Sequence, residues 1–397
     1  MSATETGWEY PSLEASECPY AFYDHARRCQ GPYPVPSRGE YLLVRHEHLA
    51  EAARRPEVFS SQPPVQRSSI GAGVSITGSD PPGHTLRRRL DSRLFTRERL
   101  AAYELIVREV VAELIDGLAG RTRVEFVSEF ATPLPIRVIS SILGLSDTDH
   151  DRLARFGRLE GFGTRYLPTD RQEELAAEAS DMAHYIRAEL EERIARPRDD
   201  GLSLLIELQR ARDGEVDMGY LLPEAATLVA GGTITTAHLI SSAMHLLVSS
   251  PELMAEVRQE PVLIPAMVEE TLRLESPVQW QPRYTKIDVE IGGQTIPAGS
   301  YVLLCFGAAN RDAGFFPRPA EFDLHRPNAD EHVGFGLGIH KCLGAPLARL
   351  EAQLAFQALL SRVHDIRLAA EASPVAHLPS ATFRGVCALE LEIGTVS

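Results

Sequence analysis

Between residues 84 and 275 apolar positions recur every three to four residues, most clearly in LAAYELIVREVVAELIDGLA (100–119) and EELAAEASDMAHYIRAELEERIA (173–195). That period predicts helices that bury one stripe and solvate the other. Strand signals lie outside this region. EYLLVRH (40–46) predicts a short strand leading into a helix over EHLAEAARR (47–55), and DVEIGGQTIPAGSYVLLCF (288–306) predicts a late hairpin turning at Gly292 and Gly293. The whole reads as mainly α with minor β, a helix-rich region plus a small β-rich one in a single large domain over 1–397. About the first 18 residues are expected as a loosely ordered extension.

Two stretches break the pattern. SSQPPVQRSSIGAGVSITGSDPPG (60–83) is polar and rich in Gly, Ser and Pro, so it predicts a long loop, and loops of that length are usually functional. VAGGTITTAH (229–238) sits inside an otherwise helical run, although each mid-helix Gly costs roughly 0.5–1 kcal/mol relative to Ala.

The formal net charge of −15 argues against a general binder of nucleic acid or anionic membrane, leaving room only for a local basic patch. MSATETGWEYPSLEASECPY begins without a basic start or apolar run, and no later segment holds eighteen uninterrupted apolar residues. A cytoplasmic protein with no membrane contact is expected. The cysteines Cys18, Cys29, Cys305, Cys342 and Cys387 form no C-x-x-C pair, which counts against a disulfide framework and a structural zinc site.

One cysteine has a distinctive setting. In HVGFGLGIHKCLGAPLARLEAQLAFQALL (332–360), Gly334, Gly336 and Gly338 precede His340 and Cys342, Gly344 follows, and a helix begins with Pro346 in its first turn. Free N–H groups and the positive helix end would stabilise a thiolate there, and glycines let backbone approach a flat ligand. A thiolate alone supplies a metal with one strong ligand; a porphyrin would supply four. The alternative is a small buried hydrophobe in a glycine-rich turn.

The spacing of Phe335, Gly338, Cys342 and Gly344 resembles the haem-binding loop of the cytochrome P-450 superfamily. The resemblance implies a haem-thiolate fold, haem b, and Cys342 as the iron ligand, with Phe335, Gly336 and Gly344 shaping the loop. It further implies that Glu270 and Arg273 of EETLRL (269–274) join Arg326 of EFDLHRP (321–327) in a buried, structural charge network. His84 and Arg88 of DPPGHTLRRRL (80–90), at i and i+4 on one helical face, would meet the haem propionates with Arg283 and His340. Arg87 and Arg89 read as a solvated basic face; with Arg93 and Lys341 they could also dock an acidic electron donor. Electrons would come from a separate ferredoxin or flavodoxin with its reductase, and a monomer is expected.

By the same resemblance the substrate pocket is lined by the 60–79 loop, by segments near 155–180, by the central helix, by Val278 after Glu-x-x-Arg, and by Thr382 and Phe383 of PSATFRG (379–385). Residues 276–284 add a derived expectation: if they are extended, Gln279, Gln281 and Arg283 share one face, with Trp280 turned away. Gln279 and Gln281 would then face a substrate that carries polar groups.

The oxygen-binding helix of the family bears a small residue, Gly, any residue, an acid and Thr. Here those positions hold Gly231, Gly232, Thr233, Ile234 and Thr235. Thr235 is the expected alcohol of the proton relay, but Ile234 cannot carry a proton. Protons could reach Thr235 through water from Thr236 or His238; the chemistry could instead need no relay, as in peroxide-driven, nitric oxide-related or oxidative-coupling reactions; or the register could be off by one. The resemblance implies a monooxygenase activating O2 to hydroxylate, epoxidise or dealkylate a small or medium organic substrate. A non-catalytic haem sensor or electron-transfer protein would use the same ligands, although the 60–83 loop favours the enzyme.

Overall fold

The computed structural model describes residues 10–12, 17–62, 74–146, 149–156 and 161–396. Residues 63–73 of the predicted 60–83 loop and most of the expected N-terminal extension lie outside them. Thirteen α-helices are present among the described residues: α1 Tyr20–Ala26, α2 His46–Ala53, α3 Gly83–Asp91, α4 Arg97–Asp116, α5 Pro133–Leu143, α6 His150–Phe156, α7 Thr169–Ala195, α8 Gly201–Asp213, α9 Met218–Ser249, α10 Pro251–Gln259, α11 Ile264–Leu274, α12 Phe306–Ala309 and α13 Ala345–Arg362. Their ends follow local chemistry. Thr96 caps α4 by accepting from Arg99 N at 3.4 Å, Asp200 caps α8 through Ser203 N at 2.8 Å, and Gly144 stops α5 in the left-handed region.

The strands are β1 Tyr33–Val35, β2 Glu40–Leu43, β3 Phe59–Ser60, β4 Arg123–Glu125, β5 Gln281–Thr285, β6 Val289–Ile291, β7 Gln294–Ile296, β8 Tyr301–Leu304, β9 Arg367–Leu368 and β10 Glu390–Glu392. They form a five-stranded sheet ordered β1-β2-β8-β5-β3, a three-stranded sheet ordered β4-β10-β9, and the β6-β7 hairpin. Gly292 and Gly293 turn that hairpin with φ of 55° and 75°, the double positive φ of a two-residue turn. In the large sheet β8 runs parallel to β2 and antiparallel to β5, with Arg283 opposite Val302. The architecture is mainly α with minor β.

The helix predicted around VAGGTITTAH is unbroken. It is α9, which packs against α5, α6, α7, α8, α10, α11 and α13 and so forms the axis of the helical core. Asp217 caps its start through Gly219 N at 2.8 Å. Near the other end of the chain, Tyr10 is an exception to the expected loose extension. It is buried against Phe22 and Tyr23 of α1, and its Oη lies 2.6 Å from that of Tyr23.

Candidate active site

The cysteine loop is held from three sides. Cys342 N donates to Phe335 O at 2.7 Å, closing the loop into a turn. Gly338, at φ 70°, packs so tightly on α2 that a Cβ would come within 2.1 Å of Ala53 O. Gly334 sits against Leu272 O of α11, where a Cβ would approach to 2.8 Å. These two glycines therefore serve backbone-to-backbone packing of the loop, while Gly336, at φ 69°, supplies the reversal. Phe335 packs against the main core, and the guanidinium of Arg349 on α13 covers its ring at 4.6 Å.

Arg349 belongs to a network absent from the sequence reading. Gly334 N donates to His332 Nδ1 at 2.9 Å, so the ring's proton sits on Nε2, 3.2 Å from Glu269 Oε2. Arg349 grips both oxygens of Glu269, at 2.6 and 2.7 Å. Burial would raise the Glu269 carboxyl, but the bonds from Arg349 and His332 outweigh it and hold it at about 2.

Cys342 itself is an exposed residue. Burial among the surrounding atoms raises its thiol, although the N–H groups of Gly344 and Ala345 and the charge of Arg88 pull it the other way. Four basic groups gather beside this loop. The rings of His84 and His340 lie 4.3 Å apart, Arg88 donates to Lys341 O at 2.6 Å, and Arg283 is buried on β5. Burial is the main cause of their lowered values, with repulsion from neighbouring cations added at the two histidines. Burial, with Arg283 and His84 nearby, pushes His340 down to about 3; burial, Arg88 and Arg283 lower His84; burial holds Arg283 down to about 10. No carboxylate pairs with Arg88 or Arg283 among the described residues, and His84 Nε2 is buried without a partner. Asp80 is nearby but committed to Ser60, Ser61 and Lys286. Ser61 Oγ lies 2.9 Å from His340 Nε2.

Two guanidinium groups that no carboxylate pairs among the described residues, with two imidazoles beside them and an exposed cysteine, fit a ligand carrying carboxylates on one edge and a metal at its centre. The residues therefore fit haem b.

On α9 the two glycines do different things. A Cβ on Gly231 would meet nothing within 4 Å, whereas one on Gly232 would press Ile139 of α5 at 3.0 Å. Only Gly231 opens space; Gly232 permits close helix packing. Ile234 and Thr235 are half-buried, Thr236 is buried, and Thr235 Oγ1 donates back to Gly231 O at 2.8 Å. His238 is buried against Gly385, with its Nε2 unpartnered, 6.4 Å from the ring of Phe383.

Glu270, Arg273 and Arg326 meet in the interior. Arg273 donates to both Glu270 oxygens at 2.7 and 2.8 Å and Arg326 Nε to the same pair at 2.9 and 3.1 Å. Their remaining N–H groups reach the carbonyls of Asn310, Pro317, Pro319 and Glu321.

Two expectations are corrected. Gln279 does not face the site: its Nε2 donates to Ser276 O at 2.7 Å and its Oε1 accepts from Tyr23 at 2.9 Å, because β5 begins only at Gln281 and alternation does not extend back to 279. Trp280 is fully buried, donating to Ala381 O at 2.7 Å, and Val278 forms a β-bridge with Phe383 beside buried Thr382. Gln281 is half-buried opposite Leu304. Arg87 is no solvated basic residue either; it ion-pairs with buried Glu224 of α9, while Arg89, Arg93 and Lys341 are exposed.

Comparison with known proteins agrees with this geometry. Residues 164–364 match the family model for cytochrome P-450. Cytochrome P-450 107B1 of Saccharopolyspora erythraea is 36% identical over 90% of this chain and 84% of its own length. Cyclomarin C epoxidase of Salinispora arenicola is 36% identical over 83% of this chain and 84% of its own. Among solved structures, cytochrome P-450 CYP109Q5 from Chondromyces apiculatus superposes with a TM-score of 0.84 at 34% identity, covering 98% of both chains. With haem b the resident cofactor its residues fit, the chain belongs to the cytochrome P-450 family of oxidoreductases.

Proposed function

We propose that this chain is a haem-thiolate monooxygenase that hydroxylates or epoxidises a small or medium organic substrate, acting as a single-domain cytoplasmic monomer. The observation that supports it best is the convergence of Cys342 with His84, Arg88, Arg283 and His340, whose two guanidinium groups have no carboxylate partner among the described residues. Bound haem b supplies the activation of dioxygen. Cys342 would ligate its iron, with the N–H groups of Gly344 and Ala345 holding the thiolate charge. The four basic groups would hold the propionates. Gly231 leaves room beside α9, and Val278, Gln281, Thr382 and Phe383 would line the substrate side. Electrons are proposed to arrive from a separate ferredoxin or flavodoxin and its reductase, docking at Arg89, Arg93 and Lys341. Among the described residues no helix is long and apolar enough to cross a membrane.

Because Ile234 carries no proton, water held by Thr235 with Thr236 or His238 takes that part. Burial pushes His238 down to about 3, so it is neutral at working pH and passes a proton only by exchanging one ring N–H for the other. Relatives named for an epoxidation and a hydroxylation support those outcomes over dealkylation.

The test is a product profile from holoprotein, electron donor and a substrate library, with the reduced carbon monoxide spectrum as the check on thiolate ligation. Oxygenated product with reductant supports the reading; product only with peroxide selects the alternative of non-standard chemistry that Ile234 leaves open.

A further inference from the structure

The network of Glu269, His332 and Arg349 takes no part in holding propionates or substrate. Arg349 of α13 grips both oxygens of Glu269 of α11, and their side chains are only 29% and 14% exposed. His332 is buried and tied at both ring nitrogens, accepting from Gly334 N at 2.9 Å and donating to Glu269 Oε2 at 3.2 Å. An imidazole that accepts at one nitrogen and donates at the other is neutral, so one guanidinium faces one carboxylate and the three groups sum to no net charge.

Packing alone does not call for charge here. The loop is already seated by Gly338 on Ala53 O and by Gly334 on Leu272 O, and a largely buried ion pair carries a desolvation cost that apolar side chains of similar volume avoid. What the pair reaches is the cysteine. The Arg349 guanidinium lies 4.6 Å from the centre of the Phe335 ring, the His332 ring lies 5.8 Å from it, and Phe335 O accepts from Cys342 N at 2.7 Å. Arg349 also stands near the start of α13, the helix that follows Cys342. We infer that the Arg349–Glu269 pair sets the reduction potential of the haem: the guanidinium, applied to the Cys342 loop across Phe335, favours the added electron, and Glu269, oriented by His332, limits that pull.

This rests on the haem-thiolate reading and adds to it a role for residues outside the pocket. A nearby cation stabilises a centre that gains an electron and a nearby anion destabilises it, and within the protein neither is fully screened. The thiol of Cys342 responds in the same sense: burial raises it, while Gly344 N–H, Arg88, Ala345 N–H and Arg349 pull it down. Neutralising Arg349 leaves the network one charge more negative and so lowers the potential. Neutralising Glu269 leaves it one charge more positive and raises it. Arg88, Lys341 and Asp330 are further charges near the loop, and because none of them is altered they drop out of both differences.

The test is spectroelectrochemical titration of the substrate-free holoprotein as wild type, Arg349→Gln, Arg349→Lys, Glu269→Gln and the double variant Arg349→Gln/Glu269→Gln. At a fixed ambient potential the ferrous-to-ferric ratio is expected to fall about fivefold in Arg349→Gln and to rise about fivefold in Glu269→Gln, the scale of a partly exposed unit charge at an effective dielectric of about 20. Arg349→Lys, which keeps the charge, should stay near wild type, and the double variant should return toward it. Shifts of the same sign in the two single variants, no shift in either, or a double variant further from wild type than both would overturn the inference, since a purely structural role predicts additive damage and no change of sign. Glu269→Gln and Arg349→Lys carry the test even if Arg349→Gln takes up no haem. The reduced carbon monoxide spectrum of the wild type separates the two levels: a missing thiolate band overturns the haem-thiolate reading, whereas a normal band with unmoved potentials overturns this inference alone.

Discussion

At Cys342 two effects oppose each other on one thiol. Burial favours the neutral form; two backbone N–H groups and Arg88 favour the charge; burial prevails, so the metal-free thiol keeps its proton until a metal replaces it. Cys342→Ser is expected to abolish the thiolate band of the reduced carbon monoxide complex, read by difference spectroscopy, while the circular dichroism of the chain persists. Gly338→Ala is expected to be harsher on the fold than on the chemistry: positive φ and a blocked approach to Ala53 O cost on the order of 1–3 kcal/mol, measurable as a lower denaturation midpoint. Both residues were legible because the loop's spacing is local in sequence. Gln279 was misread for the opposite reason, since its partner Tyr23 is 256 positions away and the strand that would have fixed its direction starts two residues later.

The α9 helix divides the labour of its glycines in a way propensity alone does not reveal. Composition marks both as costly, but only the fold shows that one faces open space and the other faces Ile139. Gly231→Ala should stabilise the helix by roughly 0.5–1 kcal/mol while weakening substrate binding, and Gly232→Ala should lower stability by crowding α5. Thermal midpoints paired with substrate-induced spectral titrations separate the two; equal behaviour would sink the distinction. At this scale the helices, the short β2 strand and the late hairpin could be read from periodicity. The network of Glu269, His332 and Arg349 could not, because it closes over 63 and 80 residues with no pattern linking its members.

Across the whole molecule, two charge arrangements set stability. Removing Arg326 would leave buried Glu270 with only Arg273 and the Asp323 N–H, a loss of about 3–5 kcal/mol that chemical denaturation of Arg326→Ala should register. His238, like His340, sets an acid limit. Its folded value of about 3 lies below the free imidazole's value of about 6.5, so the unfolded chain binds a proton the fold refuses. Stability should be lost as pH falls below about 6.5, and His238→Asn should flatten that arm of the pH–melting curve. Neither charge partner nor pH limit is visible in composition, because a net charge of −15 says nothing about which groups are buried.

The contact between Tyr10 and Tyr23 has a consequence of another kind. Tyr23 also holds Gln279, whose backbone N–H donates to Thr382 O at 2.8 Å, so a tyrosine near the start of the chain steadies the strand bridge that ends in Phe383. Trimming the chain past Tyr10, a routine step when preparing a shorter variant for crystals, is therefore expected to alter which molecules the enzyme prefers rather than merely how well it expresses.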